Sequence, residues 1–558
     1  MEQLAQQIEL IITELYDLQV SVKLERPDPQ FGDYATSVAM QLAGKLGKPP
    51  REIAEQLRDK LSSSASLADV TIAGPGFLNI ALSDAELQRL ATREPATSRR
   101  EQTYVMEYSC PNAFKELHTG HLYQTLAGDV LARLLERSGA TVRRTSFGGD
   151  VGLHVAKCLW GMVATLGGVK PEALQSLDDD AFARARWISG CYVRGAGQYE
   201  ADETAKQEID ELNKAIYAFH AENDHESPLA QLYWTTRGWS YDYFNAFYRL
   251  IQVDQMHQYA ESETAPVGLA VVREQLAAGN LQESDGAVVF VGDETKHLHT
   301  RVFVTSKGLP TYETKDIGVI WLEKEQYNFD HRVLITGNDQ KEYMRVIFTA
   351  AELFRPELAG TMTHLTNGTV RFGDGKKMSS RLGNVSRAVD VVEVVREKVR
   401  ELVKDESLIE TVTLGAIKYV FARYRLGGDI AFDIDDTVSL AGNSGPYIQY
   451  AHARACSILA KSTANQAEPD VHYTTDERAL LRKIGEYPEV IERAMQELAP
   501  HHICTYLYEL AQEFNRFYEH NRVIDDEREA ERVGLVARYA QVLSDGLGIL
   551  GIAAPQKM

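Results

Sequence analysis

The 558-residue chain contains only five cysteines, Cys110, Cys158, Cys191, Cys456 and Cys504, each standing alone. Without a CxxC pair, neither a zinc knuckle nor a disulfide framework is supported. No run of about 18 apolar residues occurs, which argues against a transmembrane helix. The opening stretch, MEQLAQQIELIITELYDL, is acidic and helically periodic, unlike a basic-then-apolar signal peptide. These absences lead us to expect a cytoplasmic protein without membrane contact. Internal repeats and low-complexity tails are also missing. A P-loop fails as well, because Val370 stands where the first glycine of GxxxxGK would fall.

What is present describes an ordinary globular composition, 44% hydrophobic and 25% charged, long enough for three or four domains. The net charge of −21 weighs against indiscriminate nucleic-acid binding, but leaves room for a local basic groove.

Three units are expected along the chain. The first, 1–95, combines helical periodicity with a strand pattern in VTIAGPGFLNIALS and closes on the polar linker TREPATSRREQ. The second, 96–404, opens with TYVMEYS as a buried strand. A helix follows, with Leu122, Leu126, Val130, Leu131, Leu134 and Leu135 on one face and a stop at Ser138-Gly139. TVRRTSF is the next strand. That order is a βαβ unit and implies a parallel sheet. A polar helical stretch at about 155–280 reads as an insertion, after which GAVVFVGD, TRVFVTSKG and HRVLITG resume strand character. The third unit, 405–558, is helical throughout.

Two motifs carry chemistry. In SCPNAFKELHTGHLYQTLAGDV, His118 and His121 flank Gly120 where a loop becomes a helix. A helix N-terminus offers unpaired N–H groups to a phosphate, and two imidazoles would add donors. Metal binding would need a third ligand, and helix capping alone is the bland alternative. The second motif, FGDGKKMSSRLGNV at 372–385, sets Lys376, Lys377 and Arg381 beside Ser379 and Ser380 between glycines. It suits a phosphate clamp, or merely a solvated turn.

In this order the pair resembles the HIGH and KMSKS motifs of class I aminoacyl-tRNA synthetases, here His118-Thr119-Gly120-His121 and Lys377-Met378-Ser379-Ser380-Arg381. The flanks EYSCPNAFKELHTGH, TYETKDIG, GPYIQYAHARACSIL and GPGFLNI narrow the likeness to the arginyl-tRNA synthetase family over nearly the whole chain. That resemblance implies an α/β Rossmann-type parallel-sheet catalytic domain with an inserted helical region. It also implies an N-terminal α+β additional domain touching the tRNA elbow and a C-terminal all-α anticodon-binding domain. The implied activity joins L-arginine to its tRNA at the expense of ATP, with Mg2+ accompanying the nucleotide, no metal held by the protein and a monomeric chain.

The resemblance also implies roles. His118, Gly120, His121, Lys377 and Met378 would bind ATP, with Lys115 and Ser379 completing the catalytic set. Asn112 and Gln340 would hold the amino and carboxyl end of arginine. Tyr312 and Asp316, in what resembles the family's substrate strand, would take its guanidinium, with Glu261 and Glu107 as further carboxylates. For Asp316 the alternative is a helix N-cap. For tRNA the candidates are Tyr447, Tyr450, Asn515, Tyr518, Phe77 and Asn79, with core packing as the rival for each tyrosine.

Two positions depart from the family pattern. Ser380 replaces the second lysine of KMSKS, for which Lys115 is the expected substitute, and Tyr123 stands where arginine is expected. Three rival readings are a class I synthetase for another amino acid, a non-catalytic tRNA-binding paralogue and a small HxGH nucleotidyltransferase.

Overall fold

A computed structural model of the chain describes residues 1–373, 387–463 and 472–558. The first region packs α1 (Glu2–Tyr16), α2 (Val38–Leu46) and α3 (Pro50–Leu61) on an antiparallel sheet of β1 (Tyr34–Thr36), β2 (Leu67–Ala73) and β3 (Phe77–Leu82). The single strand pattern read in VTIAGPGFLNIALS is therefore a hairpin, broken at Gly74 and Gly76, both of which hold positive φ. Helix α4 (Asp84–Thr92) leads out of this region.

The central sheet has the order β11-β10-β4-β5-β6, every neighbouring pair parallel. Its strands are β4 (Thr103–Glu107), β5 (Thr141–Gly148), β6 (His257–Ala260), β10 (His331–Gly337) and β11 (Met362–Asn367). Helix α5 (Thr119–Arg137) crosses from β4 to β5, burying Leu122, Leu126, Val130, Leu131, Leu134 and Leu135 as the periodicity required. From β4 the chain moves outward through β5 and β6. It then returns to the other side of β4 as β10. The carboxyl ends of β4 and β10 thus form a topological switch point, where open parallel sheets bind their ligands.

Four helices, α6 (Leu153–Leu166), α7 (Ala181–Ala201), α8 (Glu203–Ala221) and α9 (Pro228–Leu250), stand between β5 and β6. The helical excursion ends at Leu250, and β6, inside the 155–280 range anticipated for the insertion, is already back in the main sheet. Helix α10 (Glu261–Ala277) follows at once. The runs GAVVFVGD and TRVFVTSKG do not join the parallel sheet. With β7 (Gln282–Ser284), strands β8 (Ala287–Phe290) and β9 (Arg301–Val304) make a separate antiparallel sheet. Both runs are short and β-rich, and nothing in their sequence says which sheet they enter.

TYETKDIG, expected as a strand, is the first two turns of α11 (Tyr312–Tyr327). Its N-cap is Thr311. Asp316 therefore lies inside the helix, and the capping alternative for it does not hold. Helix α12 (Lys341–Phe354) packs against α11, and β12 (Val370–Phe372) pairs in parallel with β13 (Ile430–Phe432).

Helices α13 (Ala388–Leu402) and α14 (Ile409–Ala422) precede β13, and a short α15 (Ile434–Thr437) follows it. The remaining helices are α16 (Gly445–Leu459), α17 (Thr475–Ile484), α18 (Tyr487–Gln496), α19 (His501–His520) and α20 (Glu529–Ile549). The first region rests on them through ion pairs. Arg26 donates to both oxygens of Glu489, at 2.8 and 3.1 Å, and Arg478 reaches Asp33 at 2.9 Å. Among the described residues, no helix is long and apolar enough to cross a membrane.

Candidate active site

The loop from β4 to α5 is strained. Ser109, Cys110 and Phe114 all hold positive φ, of 70°, 47° and 66°, a conformation side chains with a Cβ rarely adopt. Hydrogen bonds from the helical insertion keep it there. The Phe114 N–H donates to Ser240 Oγ (3.0 Å), that of Leu117 donates to Tyr243 Oη (3.1 Å), and Ser109 Oγ meets Tyr248 Oη at 2.9 Å. All three partners lie on α9, so the insertion clamps the loop that delivers the histidines.

His118 is the N-cap of α5. Its Nδ1 accepts from the N–H groups of Gly120 (3.1 Å) and His121 (3.3 Å), and the His121 Nδ1 accepts from the His118 N–H at 3.2 Å. The rings stack with centroids 3.7 Å apart. Desolvation and then Lys115 lower the pKa of His118. Desolvation, His118 and Lys115 lower that of His121 to about 3. Both rings are neutral, and with Nδ1 used as an acceptor the proton is assigned to Nε2. Capping and function are thus one arrangement, since the cap fixes the tautomer that leaves an Nε2–H donor on each ring. Gly120 has a reason that the motif did not reveal. A Cβ there would lie 2.8 Å from Cε1 of His118 and displace the ring.

Asn112, Glu261 and His154 converge around Gly149. The Gly149 N–H donates to Asn112 Oδ1 at 2.8 Å. A Cβ on Gly149 would come within 2.8 Å of that oxygen, 3.0 Å of His154 Cε1 and 3.2 Å of Glu261 Oε1. Glu261 is buried and paired with Lys315 Nζ at 2.6 Å, so its charge is already matched. Asp150 holds the start of α10, accepting from Ser262 N–H and hydroxyl at 3.0 and 2.6 Å while pairing with Arg237 at 2.8 Å.

Asp316 accepts a hydrogen bond from the Tyr343 hydroxyl of α12. Burial pushes its pKa up to about 7, against the pull of Tyr343 and Arg332. Tyr312, one turn earlier on α11, is 66% exposed, with Lys315 Nζ 5.3 Å from its ring centroid. Gln340 follows the carboxyl end of β10, its Nε2 donating to Asp339 at 2.9 Å. Lys115 lies over the Tyr192 ring at 4.6 Å.

Glu107 is not open to a substrate. It is buried and ion-paired with Arg332 of β10, which also binds Glu323 at 2.6 Å. Glu107 and Arg332 lie on one face of adjacent parallel strands, and the sequence does not display which strand is the neighbour. Tyr123 likewise has a packing role, fully buried with its ring 5.6 Å from that of Phe421 on α14. Lys376, Lys377, Met378, Ser379, Ser380 and Arg381 lie outside the described residues.

The tRNA candidates fall into two places. On α16 and α19, Tyr447 Oη accepts from Asn515 Nδ2 at 2.8 Å, and Arg454 reaches Asn515 Oδ1 at 3.3 Å. The Arg454 guanidinium also lies 4.5 Å over the Tyr518 ring. The two sequence groups are therefore one cluster, with Tyr450 44% exposed beside it. Gln449 and His452 instead hold the chain's own C-terminal segment, at Ala553 and Pro555 carbonyls, both 2.9 Å away. In the first region Phe77 is exposed at the hairpin turn, whereas Asn79 is buried in β3 and does not present its amide to a partner. Sequence reasoning missed Gly149, His154, Lys315, Arg332, Glu323 and Tyr343. Lys315 lies inside TYETKD, and Gly149 and His154 inside GGDVGLHV, so these three had a signal to follow.

Comparison with known proteins matches three stretches to families. Residues 2–82 match the arginyl tRNA synthetase N terminal domain, 85–422 the catalytic domain of tRNA synthetases class I (R), and 448–558 the DALR anticodon binding domain. Curated relatives include the arginine–tRNA ligases of Frankia casuarinae, 31% identical over 95% of this chain and 94% of that one, and of Vibrio parahaemolyticus, 30% identical over the same shares. Among solved structures, Thermus thermophilus arginyl-tRNA synthetase superposes with a TM-score of 0.81 at 24% identity over the full length of both chains. The Plasmodium falciparum arginyl-tRNA synthetase reaches 0.79 at 19% identity, covering 100% and 99%. These two likenesses establish the fold.

Proposed function

The chain belongs to the arginyl-tRNA synthetase family, and from that premise we propose that it is an arginine–tRNA ligase working in two ATP-driven steps. In the first, a carboxylate oxygen of L-arginine attacks the α-phosphorus of ATP. The bond to the β-phosphate bridging oxygen breaks, giving arginyl-adenylate and pyrophosphate. In the second, the 2′-hydroxyl of the terminal tRNA adenosine attacks the arginyl carbonyl. An ester forms, AMP leaves and the hydroxyl proton passes to solvent or to the leaving phosphate.

The observation that carries this reading is the neutral histidine pair at the switch point, each ring with Nε2–H available while Nδ1 caps α5. Neutral donors stabilise charge that develops on the phosphate oxygens without competing for a proton. Lys115 and Lys377 would hold the leaving pyrophosphate, Lys115 making good the lysine that Ser380 lacks, with Met378 and Ser379 completing the loop. Asn112 and Gln340 would grip the amino and carboxyl end of arginine, and Asp316 with Tyr312 its guanidinium. Glu261, neutralised by Lys315, shapes the pocket wall more than it contributes charge. Magnesium enters with ATP. The ion would be bound by the phosphate oxygens of the nucleotide.

We assign chemistry to 96–404, anticodon contact to 405–558 through Tyr447, Tyr450, Asn515 and Tyr518, and tRNA elbow contact to 1–95 through Phe77. A cytoplasmic monomer is the working form. ATP–pyrophosphate exchange, run with each amino acid and with or without tRNA, tests the reading. Exchange only with arginine supports it. Exchange with another amino acid, or with none in either condition, removes it.

A further inference from the structure

Beside the guanidinium site that we propose, buried charges do not balance. Arg332 of β10, 1% exposed, lies between Glu107 of β4 and Glu323 of α11, donating from Nη2 to the first and from Nε to the second. Its Nη1 finds no hydrogen-bond partner among the described residues. Asp316 lies two turns before Glu323 on α11, takes the Tyr343 hydroxyl and interacts electrostatically with Arg332.

Among the described residues, the other charges around Asp316 are already spoken for. Lys315 is 2.6 Å from Glu261, and Arg301 is 3.9 Å from Glu313 and 5.4 Å from the Tyr343 ring. Three carboxylates, Asp316, Glu107 and Glu323, therefore share the single guanidinium of Arg332. Buried sites do not keep such an excess of negative charge; they take up a proton or a cation.

We propose that this cluster exchanges a proton for the substrate's guanidinium: empty, it holds a proton on Asp316, and it releases that proton to solvent when arginine docks beside that carboxyl. The inference rests on the reading of Asp316 as the guanidinium partner. No bond beyond the O–H is broken, and the charge of the cluster is the same before and after, since one positive group replaces another. Burial raises Asp316, in keeping with a proton held near neutrality, while Glu107 keeps its ion pair with Arg332. Two consequences follow for the reaction. A permanently charged side chain can displace the proton, whereas a neutral urea such as that of citrulline leaves it in place. Arginine affinity also rises with pH through neutrality, because the proton competes for the same site.

Calorimetric titration of the full chain with L-arginine, in two buffers of different ionisation heat between pH 6 and 8, tests this. With Asp316 near 7, about half a proton should leave per arginine at pH 7, and the affinity should rise about ten-fold from pH 6 to 8. Tyr343→Phe removes the hydroxyl that favours the ionised carboxylate, so its transition should move to higher pH. Arginine binding with no proton released and a flat affinity would overturn the exchange while leaving the guanidinium reading intact. Absence of arginine binding at every pH would remove both. Proton release that Tyr343→Phe leaves unchanged would overturn the assignment to Asp316.

Discussion

The two ends of the active cleft that we propose, one for phosphate and one for guanidinium, are built in opposite ways. At the phosphate end, His118 and His121 are three residues apart, neutral, and oriented by the first turn of their own helix. At the guanidinium end, Asp316, Tyr343, Arg332, Glu107 and Glu323 come from two helices and two strands. A phosphate needs donors that carry no proton-dependent charge, which one helix N-terminus can supply. A guanidinium needs anions kept from water, and those require a tertiary structure to bury and balance them. The first device is local; the second depends on its surroundings and, in our proposal, senses pH.

The largest effect should come from breaking the tertiary device. Asp316→Asn leaves a buried guanidinium facing a neutral amide, and losing one partner of such a pair costs on the order of 3–5 kcal/mol. Arginine binding, measured by calorimetry, should weaken hundreds-fold or more, while ATP affinity changes little. Lost thermal stability with intact arginine binding would show that Asp316 serves the fold instead.

Next comes the local device. His121→Ala should slow ATP–pyrophosphate exchange by about two to three orders of magnitude, the usual loss of one preorganised donor, with arginine affinity retained. Exchange at the parental rate would remove the histidine from the chemistry.

Gly120→Ala tests the cap alone. Its new Cβ would crowd the His118 ring at 2.8 Å. Losing an N-cap costs about 1 kcal/mol, so exchange should fall roughly five-fold if that loss appears in the barrier. An unaltered rate would mean that the ring tolerates displacement.

The smallest expected change sharpens the contrast most. Burial lowers both histidines, His121 to about 3, so the His121 ring stays neutral as pH falls from 8 to 6. Exchange at saturating arginine and ATP should be nearly flat over that range, while arginine affinity falls with pH. The stability contribution has the same sign: unfolded histidines take protons below about pH 6.5 that the folded rings refuse, so stability is lost as pH drops through that value. An exchange rate that titrates near 6.5 at saturation would place an ionising histidine in the chemistry.

The α5 face, its cap and its stop at Ser138 could be read from the sequence because apolar spacing and glycine chemistry act over a few residues. The resemblance, by contrast, gave TYETKDIG as a strand. Its polar, β-branched opening hides the fact that Ile317 and Ile320 continue one helical face into the core. The insertion's purpose was equally hidden, since Ser240, Tyr243 and Tyr248 reach back more than a hundred residues to hold the strained loop.

What the sequence determined by itself was the identity of the candidate groups: two histidines around a glycine, an aspartate four residues after a tyrosine, and the strand–helix–strand order that carries the histidines. The tertiary structure decided which of those groups are free to act. It paired Glu107 with Arg332 and Glu261 with Lys315, buried Asn79, and gave Asp316 the Tyr343 hydroxyl as its hydrogen-bond partner. The physical reason is range. Caps and periodicity are settled by neighbours along the chain, whereas the charge state of a buried carboxylate depends on every ionised group that folding brings near it.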